Sequence, residues 1–493
     1  MTKSRLRTRR QRKAGAILVW FALVLPLLLG MTGLVIDGGL LMASHRHLQN
    51  SVDAASMAAA KDLLNELSET EARNTATNFV LTHHDLGNAD VEIHIPPANG
   101  VYTGEPGFVE VMAEYETPTI FMQLLDGSHT TRVATARAVA GGEENQILDG
   151  IIALDHRKTP GLTVTGNAQL TASGRIIVNS EGGGVSVDGT RITDAEPGFG
   201  AFVSPFAGVT ADEVYLVGGA NRVDRFQDID GSGDSPLKTE QLPISDPLAN
   251  LATPTVANGV LNVRRGAASA TPTEMTITNQ DESVGQQNLI VTNATTGEQT
   301  MILHPGIYTS IDVTGGNVIF RPGIYVMAAP REAEYAVRIL DGEIEADGIM
   351  FYNTNESYDP VTGQPDLSDG GQLPEATGEA QGQIRINAAL GFSGIDTMQH
   401  DYSNVPLQIS QFNGLLVYQR RSKIANVQIQ GFVEDETFEG AIYAKWASLR
   451  LPAGGVLNSQ IVVGTIAIPG HGDLHVQYDT EDVLRSIEVY LVE

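Results

Sequence analysis

The chain has 493 residues, more than one ordinary domain holds, and its 42% hydrophobic and 18% charged residues are the composition of folded domains. It has no cysteine, which excludes disulfides, thiolate metal sites and cysteine nucleophiles, so stability has to come from core burial. A net charge of −28 excludes the broad basic surface that nucleic acid demands.

Residues 1–13 carry Lys3, Arg5, Arg7, Arg9, Arg10, Arg12 and Lys13, and the run from Ala14 to Ile36 is then free of charge. As a helix rising about 1.5 Å per residue, that run reaches roughly 35 Å, enough to cross a hydrocarbon core of about 30 Å with some tilt. It is long for the apolar core of a cleaved signal peptide, and Met42-Ala43-Ser44 makes a poor cleavage site. Pro26 lies mid-run, where lipid-embedded helices tolerate proline. The basic flank predicts a cytoplasmic N-terminus, a single-pass anchor over 14–36, and export of the rest. Beyond the anchor, Leu41, Leu48, Val52, Ala55, Ala59 and Leu63 recur at helical spacing in an Ala-rich stretch. They predict a helix from 41 to about 85, fraying near His83-His84, a pair read as solvated and not as a ligand set.

Three stretches of this region carry a family resemblance. They are Gly15-Ala16-Ile17 through Pro26-Leu27-Leu28, then Gly33 to Ile36 with Asp37-Gly38-Gly39, then Leu48-Gln49 through Asp53-Ala54-Ala55 to Ala58-Ala59-Ala60. Together they resemble the N-terminal segment of the TadG-like proteins of bacterial tight-adherence (Flp) pilus-assembly systems. The resemblance implies an inner-membrane protein working with pilus-assembly or other envelope proteins. The pilins of such systems resemble one another in a glutamate five residues after a processed glycine, whereas Trp20 stands five after Gly15 here. Cleavage by a prepilin peptidase is therefore not expected.

Val91 to Ile95 alternates apolar and polar residues and stops at Pro96-Pro97, and Phe108 to Tyr115 alternates again. A short apolar segment, Ile120 to Leu125, precedes a closing strand from Thr130 to Ala140. Residues 37–142 thus read as an amphipathic helix with a small α+β unit similar to pseudopilin heads, and Gly141 to Glu144 as a linker.

From 147 to 493 helical periodicity vanishes and short β-rich runs alternate with Gly, Asn and Asp. Pro305-Gly306-Ile307-Tyr308 recurs 17 residues later as Pro322-Gly323-Ile324-Tyr325. Inward Val, Ile and Leu with Gly or Asn turns predict a right-handed parallel β-helix, with a pair of β-sandwiches as the alternative. The whole chain is then mainly β. Two stretches, about 224–254 and 353–383, break the rhythm and read as surface excursions free to carry binding. Asn167, Val178-Asn179-Ser180, Asp246-Pro247-Leu248 and the twin Pro-Gly-Ile-Tyr elements look similar to β-helical domains that accompany TadG-like N-termini.

Candidate chemistry is sparse. Asp228, Asp230, Ser232 and Asp234, with Gly233 at the sixth position, begin like a calcium loop, but Thr239 stands at the twelfth and Glu240 is one residue late. Gly470-His471-Gly472 resembles an element of β-helical pectin hydrolases. The accompanying Asn-Thr-Asp and Asp-Asp carboxylates are missing, so it reads as a turn in the last coil. His471 and His475 have zinc-pair spacing only on a helix, which the glycines there oppose. TadG-like proteins often carry a von Willebrand A-type domain, but after Ile151 to Asp155 the serine positions of its metal site hold Arg157 and Thr159. The expected function is a non-enzymatic, anchored structural protein of pilus assembly or surface attachment, with no cofactor. One alternative is an anchored carbohydrate-active lyase or hydrolase in contact with polysaccharide. The structural reading loses to it if two or more of Asp155, Asp188, Asp312, Glu345 and Asp347 converge within about 10 Å in a groove. The other is a calcium-stabilised adhesin.

Overall fold

A computed structural model describes residues 14–64, 68–84, 86–119, 121, 131–147, 149–192, 196–231, 233, 235–281, 285–364, 381–403, 407–431, 438–478 and 484–492. The chain divides into two units, Met1–Glu143 with Ile487–Glu493, and Glu144–Ser486. The second is an insertion into the first, so the expectation of one uninterrupted domain from 147 to 493 is corrected at its C-terminal end.

In the first unit, helix α1 (Ala14–Leu64) is continuous through Pro26. Helix α2 (Glu69–Asn78) comes next, started by a capping box in which Ser68 and Glu71 satisfy each other's backbone N–H. Strands β1 (Asp90–His94), β2 (Val109–Pro118) and β3 (Thr131–Gln146) form an antiparallel sheet, completed beside β3 by the strand Arg485–Leu491. Gly141 to Glu144 therefore lies within a strand, against the linker reading. Glycine followed by acidic residues resembles a linker in sequence, but here they are part of β3. Small residues on both partners let helix and sheet approach closely. Val52, Ala55 and Ala59 of α1 share a buried cluster with Val111, Ala113, Ala136 and Ala138.

The second unit is one large sheet that closes on itself and pairs mainly in parallel. Its antiparallel pairs are local hairpins, such as Arg264–Ala270 with Met275–Thr278. Parallel pairing between rows is not the antiparallel layering that the two-sandwich alternative requires. Three ladders run side by side, because long strands such as β5 (Leu162–Val178), after β4 (Asp149–Ala153), turn a corner and contribute to more than one ladder. Inward residues alternate along each row and fill one continuous apolar core, among them Leu162, Val164, Leu170, Ile311, Val313, Ile384 and Val427.

Spatial order departs from chain order. In one ladder Ile442 pairs Ile461, which pairs Ile151; in the next Leu449 pairs Ile466, which pairs Leu162; in the third Leu457 pairs Val476, which pairs Ala172. The strand Ile461–Gln477 is thus inserted between residues 441–458 and the first rows of the unit. Rows run from β4 and β5 outward to Leu237–Lys238 at one end, where Leu237 pairs Val214. The chain then crosses to the opposite end, where Ala268 pairs Ile311, and winds back toward its starting row.

The crossing is made by residues 239–263. Asn179 and Ile244 exchange two hydrogen bonds at 2.8 and 3.0 Å, Tyr358 donates to Pro254 O at 2.6 Å, and Ile307 N–H donates to Val263 O at 2.8 Å. This strap covers a second apolar cluster on the outer side of one ladder, including Ile152, Ile324, Met350, Tyr352, Tyr418 and Tyr443. The expectation of a free excursion over 224–254 is corrected accordingly: 226–228 and 237–238 pair in the sheet, and the strap itself is packed down, with Leu248 buried in that cluster. Of the second excursion, 365–380 lies outside the described residues.

The twin Pro-Gly-Ile-Tyr elements share one bond. Tyr308 donates to His304 O at 2.6 Å and Tyr325 to Arg321 O at 2.8 Å, four residues back in each case, and the two rings stack with centroids 5.6 Å apart. Burial pushes both phenols up. Gly306 (φ 148°) and Gly323 (φ 135°) supply backbone that a side chain would strain, and a Cβ on Gly306 would sit 2.8 Å from Val263 O.

Candidate membrane anchor and its seat in the N-terminal unit

Helix α1 has two halves with different surroundings. From Trp20 to Ile36 nearly every large apolar side chain is exposed, with Trp20 at 69%, Leu27 at 64% and Val35 at 74%. Water does not favour such a continuous apolar surface, and a hydrocarbon phase does. It is the one helix among the described residues long and apolar enough to cross a membrane. Beyond Asp37 one face of the same helix is buried against the α+β sheet.

The sequence-predicted residues fall on both halves. Gly15 lies in the first turn of α1, and Pro26 is exposed mid-helix. Asp37 is only 3% exposed, and its Oδ2 accepts the N–H of Phe121 at 2.8 Å. A Cβ added to Gly38 would meet nothing within 4 Å. Leu48 and Ala55 are fully buried, and Ala54 is half-buried. Gln49 donates to Asp53 Oδ1 at 2.7 Å and to Arg137 O at 2.9 Å, which ties the helix to β3. Sequence reasoning missed two neighbours of this seat. Gly33 is buried under Phe121, whose side chain would lie 2.5 Å from a Cβ there. Glu110, on the face of β2 opposite Val109 and Val111, is a buried carboxylate at a position that alternation alone assigns to solvent.

Residues 15–62 match the Tad family model, Putative Flp pilus-assembly TadE/G-like. The N-terminal segment is Tad-like. The Tad-like segment maps onto the single helix α1, spanning its exposed apolar half and the half docked on the sheet. Comparison with curated proteins finds no match, and comparison with solved structures finds none either.

Glu110 fixes the sheet beneath the docked half. Its carboxylate accepts Arg137 Nε at 2.5 Å and the N–H groups of Ala98 and Asn99 at 2.8 and 3.3 Å. Burial pushes the carboxyl up, but these donors outweigh it and hold it below its ordinary value. A lowered folded value means stabilisation that is present above the unfolded value, about 4.3, and lost as pH falls through the folded one. In acid titrations followed by circular dichroism, the wild-type chain is expected to lose stability more steeply below about pH 4.3 than Glu110→Gln. Equal slopes would contradict this.

Elsewhere the predicted sites do not assemble into a centre. Of the calcium candidates, Asp228 ends a strand, Asp230 is exposed and its N–H donates to Asp228 Oδ1 at 3.3 Å, while Ser232 and Asp234 lie outside the described residues. Among the described residues no group of three His, Asp or Glu is placed to hold a metal ion. Gly470-His471-Gly472 lies inside the strand Ile461–Gln477, with His471 paired to Asn167, so neither the turn nor the last-coil reading holds. Asp155 Oδ1 accepts the N–H groups of Arg157 and Lys158 at 3.1 and 3.2 Å. The Ser186 hydroxyl and the Thr190 N–H hold the Asp188 carboxyl down to about 2. Asp312 is bound bidentately by Arg338 at 2.8 and 2.5 Å. Glu345 and Asp347 do line one shallow groove, together with Ser393 and Glu439. Glu345 is near the end of the strand Tyr335–Ala346 and Asp347 follows that strand directly, so the two are chain neighbours and not carboxylates brought together from separate rows.

Proposed function

We propose that this chain is a membrane-anchored, exported structural protein of a tight-adherence (Flp) type pilus-assembly or surface-attachment system, held in the inner membrane with its N-terminus in the cytoplasm. The observation that carries the reading is the exposed apolar half of a Tad-like helix whose other half docks on a folded unit. We read the closed parallel sheet as a parallel β-helix: three ladders of stacked short strands with inward aliphatic rows fit that architecture. In this reading the anchor tethers, the docked half of α1 fixes the α+β unit to it, and the sheet offers a rigid surface to envelope partners. Asp155, Asp188 and Asp312 are engaged by neighbouring donors, which favours a structural role over hydrolysis.

The test is extraction and protection. In bacterial membranes the full chain is expected to resist alkaline carbonate and yield only to detergent, and a chain lacking residues 14–36 to be released. Protease added to spheroplasts is expected to digest residues beyond Asp37 and spare an N-terminal tag. Carbonate release of the full chain, or digestion of the tag, would overturn the reading.

A second reading rests on the groove with Glu345, Asp347 and Glu439, three carboxylates of the kind a glycoside hydrolase or lyase uses as acid and base. It stands or falls on turnover of polysaccharide by the wild-type chain and its loss in Glu345→Gln.

A further inference from the structure

We infer that the edge of the N-terminal unit at Pro118 and Phe121 rests in the interfacial layer of the membrane, giving the protein a second contact with lipid beside its helix. The inference rests on the reading of residues 14–36 as a span. Along the apolar half of α1, Gly33 and then Asp37 are the buried positions, four residues apart and so on one face. The side chain of Phe121 covers Gly33, and the backbone of the same residue covers Asp37.

Depth is set by helix rise. Gly33 lies three residues before the end of the apolar run at Ile36, roughly 5 Å along the axis. The run itself is roughly 35 Å long against a core of about 30 Å, so the slack is also roughly 5 Å. Wherever the span settles within that slack, Phe121 lies at or just inside the boundary between hydrocarbon and headgroups. A unit held away on a stalk would place no residue there.

The chemistry suits that layer. An aromatic ring is what interfacial contacts use, and Phe121 supplies one. Asp37, the first charge after the span, would be costly to bury with no donor, and the Phe121 N–H provides one at 2.8 Å. Gly33 has no side chain to fill the place that the ring takes, and any Cβ would meet it at 2.5 Å. Pro118 ends β2 exposed, so the strand delivers this edge to the anchor.

The test uses the absence of native cysteine. Full-length chains carrying Leu28→Cys, Pro118→Cys or Thr103→Cys are labelled with an environment-sensitive fluorophore and reconstituted into phosphatidylcholine–phosphatidylglycerol vesicles. The vesicles contain lipids spin-labelled either near the headgroup or deep in the chain. Leu28 is mid-span, and Pro118 leaves Phe121 intact. Thr103 is exposed in the turn before β2, at the far end of a strand about 30 Å long. Quenching of the Pro118 label by headgroup-level lipids, several-fold above that of the Thr103 label, is expected, with the Leu28 label quenched by deep lipids. A quenched Leu28 label with Pro118 quenched no more than Thr103 overturns the interfacial contact and leaves the span standing. An unquenched Leu28 label overturns the span, and the inference with it.

Discussion

Asp246→Ala is expected to destabilise the large parallel sheet by about 3–5 kcal/mol, the cost of stranding a buried charge by removing its partner. The Asp246 carboxylate is 5% exposed and lies 3.3 Å from Lys445 Nζ, itself 8% exposed. The same carboxylate accepts the Tyr443 hydroxyl at 2.7 Å. That hydroxyl accepts Arg421 Nε at 3.0 Å, and Arg421 Nη2 donates to Leu248 O and Leu251 O at 2.9 and 2.5 Å. One carboxylate therefore links two stacked rows of the sheet to the strap that crosses them. Without it the Lys445 ammonium faces an apolar cluster, and the Tyr443 hydroxyl loses its acceptor. Thermal denaturation followed by circular dichroism should show the sheet transition falling by several degrees or more. Proteolysis within 239–263 should become rapid. Asp230→Ala, an exposed acid shortly before the strap, should leave both unchanged. In the double variant Asp246→Leu/Lys445→Met no charge is stranded, and much of the loss should be recovered. A single Asp246→Ala variant as stable as wild type would show that the strap does not hold the sheet.

The chemistry of Asp246 illustrates where sequence reading stopped. Asp246-Pro247-Leu248 stands out in the sequence as an unusual element, but an acid beside a proline reads as a solvated turn. Its cation lies some 200 residues later in the chain, and nothing local in either stretch announces the other. The anchor, by contrast, was legible because membrane crossing is written locally, in one uncharged run of sufficient length beside a basic flank. The seat of the anchor was half legible. Leu48, Val52, Ala55 and Ala59 declare a buried face through their spacing, whereas Gly33 and Asp37 act through Phe121, far away in sequence. The repeat at Pro305 and Pro322 was legible as a repeat, and its cause, a tyrosine hydroxyl returning to a carbonyl four residues back, needed the fold. The parallel rows were legible as strands but not as an order. Every row offers the same alternation of Val, Ile and Leu, so pattern alone cannot say which row stacks on which.

That hidden order carries the second large expectation: ending the chain after Asn458 should abolish folding of the whole parallel sheet and not merely fray one end. In a sheet stacked in chain order, losing the last strand would expose one edge. Here Ile461–Gln477 separates the rows at 441–458 from those of β4 and β5, so its loss opens two facing edges and strips the rows at 149–216 of their support. Its buried residues Ile461, Val462, Val463, Ile466, Ile468, Leu474 and Val476 represent about 10–20 kcal/mol of burial at about 1.5–3 kcal/mol each. Total stabilities of about 5–15 kcal/mol cannot absorb that loss. Two long unpaired edges are also templates for association, so the truncated chain should aggregate in place of yielding a smaller fold. The order itself can be tested by permutation. Ile147 N–H donates to Leu484 O at 2.8 Å, so the entrance and exit of the unit are adjacent. Joining 484 to 147 through a short linker and opening new ends after Glu240 would make chain order match spatial order, with the strap kept ahead of residue 264. This permuted chain should recover a cooperative, protease-resistant sheet. A stable soluble core from the chain ending at Asn458 would overturn the inserted-strand account, because in that account residues 149–238 have lost the strand that joins them to the rows at 264–458.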